Sequence, residues 1–172
     1  MAITSLDPAA SLLHALTQRL GDHGLVHVER LPPRPARTAA LSRPLPAWLD
    51  ERLDELGYPG LWAHQAQAVD LLRDRQHAVV ATGTASGKSL CYRAPIAEGV
   101  TQGVRTATAM LLFPTKALAQ DQLRALAAMQ VPKLAAATYD GDASPEARTW
   151  ARTHANVVLT SPEMLHVGML PH

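Results

Sequence analysis

Gly87, Lys88 and Ser89 stand where a run of small residues meets a segment of helical composition. The stretch Thr82-Gly83-Thr84-Ala85-Ser86-Gly87-Lys88-Ser89 has the character of a phosphate-binding loop. Small residues let the backbone turn tightly enough for successive N–H groups to face one anion, and a following helix adds the positive end of its dipole. Lys88 is placed to reach the β- and γ-phosphates of a nucleotide as a point charge, and Ser89 to set its hydroxyl on a magnesium ion. Two positions depart from the common pattern: Thr82 takes the place of the first glycine, and Ala85 stands where a third glycine is frequent.

Such a loop needs a strand before it and a helix after it. The run Ala78-Val79-Val80-Ala81 has the β-branched character of a short buried strand, and the residues from Gly87 through Ala97 read as a helix broken near Gly99. Further along, Thr106 to Phe113, Leu134 to Tyr139 and Asn156 to Thr160 read as three more strands. Between them lie a helix built on Leu118, Leu123 and Leu126 and another capped by Ser144, with Pro145 in its first turn. Alternating strands and helices predict an α/β fold with a parallel sheet, whose ligands gather beyond the carboxyl ends of the strands. Thr82, Pro114-Thr115-Lys116, Asp140-Gly141 and Thr160-Ser161 all fall at such ends, with hydroxyls and backbone amides suited to phosphates.

Upstream, residues 7 to 21 predict a helix capped by Asp7, with apolar Leu12, Leu13, Leu16 and Leu20 and a stop at Gly21; Leu25, Val26 and Val28 suggest a brief strand. The proline-rich stretches from Leu31 to Arg37 and from Ser42 to Pro46 read as an extended linker, which divides the chain into residues 1–45 and 46–172. Its Arg30, Arg34, Arg37 and Arg43 read as solvated surface rather than a phosphate-tracking strip. Trp48, Leu49, Leu53 and Leu56 then predict one helix, and His64 to Leu72 a second with Ala68, Leu71 and Leu72 on its packing face. Gln65 lies on that second helix, and its carboxamide both donates and accepts, as adenine's N6 and N7 require.

Composition sets the outer bounds. At 172 residues and 47% apolar content the chain suits one domain with a real core. A net charge of +1 gives no bulk attraction for nucleic acid or membrane, so any such contact depends on local placement. The single cysteine, Cys91, fits a reducing setting and reads as a small buried residue on the helix after the loop. His64 and His77 lack metal-ligand spacing with any cysteine or carboxylate pair and read as structural. With no targeting pattern and no apolar stretch of bilayer length, the expectation is a cytoplasmic protein without a membrane partner.

The order of these motifs is similar to that in the first motor domain of superfamily 2 DExH-type helicases, and within that group to the bacterial MrfA/YprA-like DNA helicases. The resemblance rests on Gln65, Thr82 to Ser89, Pro114 to Gln122, Tyr139 to Asp142 and Thr160 to His166, and covers about residues 30 to 172. It implies a RecA-like parallel sheet, ATP and Mg2+ as cofactors, and translocation along single-stranded or forked DNA, in repair. It also implies roles: Gln65 reading adenine; Thr82, Gly83, Thr84, Ala85, Ser86 and Gly87 cradling the phosphates; Lys88 catalytic on them; Ser89 on the metal. Pro114, Thr115, Lys116, Gly141, Thr160 and Ser161 would touch the nucleic-acid backbone.

No Asp-Glu-x-His or Asp-Glu-x-Asp ends a strand in this chain; Asp50-Glu51 and Asp54-Glu55 lie on a helix before the loop. The resemblance implies that following strands carry those carboxylates in the middle of the sheet. The expectation is therefore an amino-terminal piece of a motor, inactive as an ATPase by itself, with apolar sheet edges exposed. The residues alone leave open an RNA helicase, an ATPase with no nucleic-acid partner, and a non-catalytic binding module.

Overall fold

The structure, a computed structural model, describes residues 7–21, 24–32, 35, 37–102 and 107–171. Pro33, Arg34, Ala36 and Thr106, which figure in the readings above, lie outside them. The chain forms two compact units, Met1–Pro35 and Ala36–His172.

In the first unit, α1 (Pro8–Leu20) starts as its sequence predicts. The Asp7 carboxylate accepts from the Ala9 N–H at 3.0 Å, Pro8 opens the helix, and the Gly21 N–H donates to the Thr17 carbonyl at 3.0 Å. Leu12, Leu16 and Leu20 are exposed along it. The brief strand expected at Leu25 to Val28 does not form: these residues carry no ladder, and Val26 is 94% exposed. β-Branched composition favours an extended backbone but makes no strand without a partner to complete its hydrogen bonds.

The second unit begins ten residues earlier than the linker reading placed it, because the proline-rich segment is packed rather than free. Thr38 bridges to Trp62, the Ala39 N–H donates to the Leu61 carbonyl, and the Ala63 N–H donates to the Arg37 carbonyl. Asp70 accepts from both the backbone N–H and the hydroxyl of Ser42 at 2.9 and 2.8 Å. Prolines donate no hydrogen bond, but the carbonyls around them still accept, and Arg73 supplies donors to those of Arg43 and Pro44. The same guanidinium makes a two-pronged pair with Glu98, at 2.8 and 2.9 Å.

Helices α2 (Ala47–Glu55), α3 (Ala63–Arg73) and α4 (Leu90–Gln102) follow, and then the sheet alternates with helices: β1 (Ala109–Leu112), α5 (Lys116–Ala128), β2 (Ala136–Tyr139), α6 (Pro145–His154), β3 (Val157–Thr160) and α7 (Pro162–Met164), which runs into a π-helical turn, Leu165–Met169. Among the described residues the sheet has three parallel strands in the order β1-β3-β2. Ala109 and Ala136 both register with Val157, and Leu112 and Tyr139 with Thr160, so the three carboxyl ends are level. All four residues of β3 are buried, as a central parallel strand covered on both faces requires. Asn156 fixes its start: the side-chain carbonyl accepts from the Ala135 N–H at 2.9 Å, and the amide donates to the Lys133 carbonyl at 2.8 Å.

The main core joins Leu49 and Leu53 of α2, Val69 of α3, Leu90 of α4, Leu126 of α5 and Leu159 of β3. Each large aliphatic side chain taken wholly from water stabilises by about 1.5–3 kcal/mol, so this cluster is what ties α2–α5 to the sheet. Arg52 reinforces it by donating twice to the Ala128 carbonyl at the end of α5, where a helix end favours a cation.

Several details differ from the sequence reading. The α3 packing face is Gln65, Ala66, Ala68 and Val69, while Leu72 is 38% exposed. Helix α4 continues through Gly99 to Gln102 with Pro95 inside it, because Leu90, Ala94 and Ala97 anchor one face in the core. The buried face of α5 is Ala119, Gln122 and Leu126, with Leu118 turned outward. The strand expected at Ala78 to Ala81 joins no ladder, and Val79 is 96% exposed. The segment instead lines an open cavity together with His64, Gln67, Ala68 and Leu71 of α3.

Candidate nucleotide site and the neighbouring strand ends

The loop is held by side chains from α3, by its own side chains and by its own backbone. Ala85 adopts φ +56° and Gly87 φ +67°, both in the left-handed region that one tight turn requires. A Cβ at 87 would also lie 2.5 Å from Nε2 of Gln65 and would have to displace that amide. Ala85 accepts a left-handed strain of about 1–2 kcal/mol where glycine is frequent. Gly83 needs no such freedom, as a Cβ there meets open space, and Thr82 makes use of a hydroxyl that glycine lacks: its Oγ1 lies 2.6 Å from Oγ of Ser86.

Gln65 is 3% exposed and turned into the protein. Its carbonyl oxygen accepts from the Trp62 N–H at 2.9 Å, and its amide donates to the Gly87 carbonyl at 3.0 Å. In this state it braces the loop, which differs from the free adenine-reading carboxamide expected from its position. His64, read as merely structural, joins it: a ring nitrogen lies 2.9 Å from the Ser86 carbonyl, and because a carbonyl only accepts, Nε2 carries the hydrogen. Its place one residue before Gln65 was the available signal. The Lys88 ammonium donates to the carbonyls of Thr82 and Gly83, at 3.0 and 2.5 Å. Engaging a phosphate means exchanging these carbonyls for phosphate oxygens. Cys91 is buried at the second position of α4, and burial pushes its thiol up, which suits a packing residue rather than a nucleophile.

The cradle fits a phosphate chain: a helix N-terminus, a lysine, and a glycine in a left-handed turn braced by Gln65. For a metal, Ser89, which follows Lys88, would be the loop residue to offer a hydroxyl. Among the described residues no group of three or more His, Cys, Asp or Glu side chains could hold an ion, so Ser89 would share it with phosphate oxygens.

At the level carboxyl ends of β1, β2 and β3, Thr115, Lys116, Asp140, Thr160 and Ser161 line one small depression. Gly141 adjoins it, with Lys116 Nζ 4.0 Å from where its Cβ would stand. Pro114, Thr115, Lys116 and Gly141 are exposed, and Ser161 is half-buried, its hydroxyl accepting from the Met164 N–H as the cap of α7. Thr115 caps α5 in the same way through the Leu118 N–H. Thr160 is a correction: it is 2% exposed and its hydroxyl donates to the Tyr139 carbonyl at 2.7 Å, so it locks β3 to β2 and offers a ligand no side-chain contact.

Gln122 links the helix after the loop to the helix after β1. Its buried carbonyl oxygen accepts from the Tyr92 hydroxyl and from Arg93, joining α4 to α5. Two further residues shape this surface, Asp142 at the end of the Tyr139–Asp142 motif and Arg148, which the sequence reading did not single out. Asp142 pairs with Lys116 at 2.6 Å, and Arg148 donates to the Gly141 carbonyl at 2.6 Å.

A phosphate-type loop opening a helix, beside a parallel sheet whose carboxyl ends carry a second polar surface, defines a RecA-like nucleotide-binding domain. The chain belongs to the DEAD/DEAH box helicase family, whose model matches residues 62–171. It is 38% identical over 169 residues to the uncharacterized ATP-dependent helicase YprA of Bacillus subtilis, an alignment covering 94% of this chain and 22% of that protein. The crystal structure of the DUF1998 helicase MrfA bound to DNA superposes with a TM-score of 0.79 at 34% identity, over 97% of this chain and 24% of MrfA. MrfA bound to DNA and AMPPNP gives 0.77 at 35% identity, over 95% of this chain and 23% of that one. The chain thus spans under a quarter of the length of these relatives.

Proposed function

We propose that this chain forms part of the first motor domain of an ATP-dependent DNA helicase, binding MgATP at Thr82–Ser89 and single-stranded or forked DNA at the carboxyl ends of β1–β3. The observation that carries the reading is the loop, in which Gly87 takes a left-handed turn against the buried Gln65 amide and Lys88 and Ser89 follow just ahead of α4. In this reading Lys88 leaves the carbonyls of Thr82 and Gly83 to hold the phosphate chain, and Gln65 and His64 keep the loop's left-handed turn in place. Exposed Thr115, Lys116 and Gly141 take the sugar-phosphate backbone. Magnesium, when bound, neutralises charge on the β- and γ-phosphates. The likeness to DNA-bound MrfA favours DNA over RNA, and the resemblance extends the role to repair.

The 172 residues contain no Asp-Glu-x-His, so the proposal assigns this chain binding without turnover. Titration with a fluorescent non-hydrolysable ATP analogue and magnesium tests the first half. Saturable binding that Lys88→Ala weakens at least about tenfold supports it, and equal binding by the variant overturns it. ATP hydrolysis by the chain alone, lost on Lys88→Ala, would refute the second half.

A further inference from the structure

The nucleic-acid surface proposed above carries a feature at odds with its purpose: its foremost cation is already paired. Lys116 Nζ lies 2.6 Å from Oδ2 of Asp142, with the two side chains 53% and 81% exposed. Asp142 is presented by a rigid turn, because the Asp140 carboxylate accepts from the N–H groups of both Asp142 and Ala143 at 3.0 Å, and Arg148 holds the Gly141 carbonyl. Asp140 and Glu163 also act on Lys116, and Arg148 acts on Asp142. Two cations therefore face three carboxylates, and the local balance opposes a polyanion.

We infer that Asp142 is a built-in competitor for the phosphate that Lys116 binds, so that nucleic acid engages this surface by displacing the carboxylate of the Asp140-Gly141-Asp142 turn. The inference rests on the reading of these strand ends as the nucleic-acid surface. An exposed pair is weak enough to exchange, since solvent screens it and two flexible side chains must be ordered to keep it. The exchange has a thermodynamic signature. A lysine that meets a phosphate normally releases the condensed counterions of the nucleic acid, about 0.7 per contact on a single strand. When the lysine first abandons a carboxylate, that carboxylate recruits a cation from solution, and the net release at this contact is reduced. The competitor thus lowers affinity and flattens the salt dependence together.

The experiment is a fluorescence titration of an end-labelled oligothymidylate with the full chain over a series of salt concentrations, for wild type, Asp142→Asn, Lys116→Ala and the double variant. Asp142→Asn is expected to bind roughly two- to fivefold more tightly at low salt, with a salt slope steeper by up to about 0.7. In the Lys116→Ala background the same change is expected to have no effect, because the competitor has nothing left to occupy. If Lys116→Ala weakens binding while Asp142→Asn changes neither affinity nor slope, the inference is overturned and the binding surface stands. Tightening by Asp142→Asn that persists without Lys116 also overturns it, as a general charge effect. If the chain binds no oligothymidylate, or Lys116→Ala binds like wild type, the surface assignment fails and the inference with it.

Discussion

At the scale of single residues, the loop is defined by what can and cannot carry a side chain. Gly87 combines φ +67° with a Cβ position 2.5 Å from Gln65 Nε2. Gly87→Ala is therefore expected to cost about 1–2 kcal/mol of backbone strain and to push Gln65 off the Gly87 carbonyl. Nucleotide-analogue binding should fall with it, and urea unfolding beside the titration separates the two effects. Ala85→Gly is the counterpart. Relief of the left-handed alanine is offset by the greater freedom of glycine in the unfolded chain, so stability should change by no more than about 1 kcal/mol while binding is retained. A large loss of stability there would show that the Ala85 methyl does something other than tolerate strain.

At the scale of elements, two polar residues do what hydrophobic packing cannot, which is to set position. Asn156 is 7% exposed and satisfies one donor and one acceptor of the segment before β2. Asn156→Ala leaves both without a partner and is expected to destabilise by about 1–3 kcal/mol, read as a lower urea midpoint. Asp70 pins the proline-rich segment to α3. The backbone hydrogen bond from Ser42 leads the effects that hold its carboxyl below the usual value, aided by the Ser42 hydroxyl and by Arg73 against a desolvation cost. A depressed folded pKa means stability that is present above the unfolded value, near 3.9, and lost as pH falls through the lower folded value. Stability should therefore decline below about pH 4, and Asp70→Asn should be less stable at neutral pH with a shallower decline in acid.

At the scale of the whole molecule, the second unit combines a well-filled core with apolar side chains left exposed outside it. Val79 is 96% exposed, and Met110 and Leu112 of β1 are 46% and 45% exposed, while β1 pairs among the described residues with β3 alone. A parallel edge strand with exposed apolar side chains is a template for association. The chain is expected to bind a hydrophobic dye while native and to scatter light increasingly with concentration. Val79→Lys should reduce the scattering without lowering the unfolding midpoint. Absence of both signals would mean that this surface is covered in solution.

The amino-acid order by itself determined the loop, the caps at Asp7 and Ser144, and the alternation that makes the sheet parallel. These features depend on interactions within a few residues, or on periodicities that survive in a one-dimensional string. Tertiary structure alone decided the rest. Val79 and Val80 have strand composition but no ladder, because a strand needs a neighbour. The proline-rich segment looked free until Asp70 and Arg73, 28 and 30 residues away along the chain, supplied its hydrogen bonds. Thr160 and Gln65 had the chemistry of ligand contacts, yet packing turned both inward, onto Tyr139 and Gly87. Asp142 came to occupy Lys116 for the same reason: 26 residues separate them in sequence, and the level ends of two parallel strands bring their charges together.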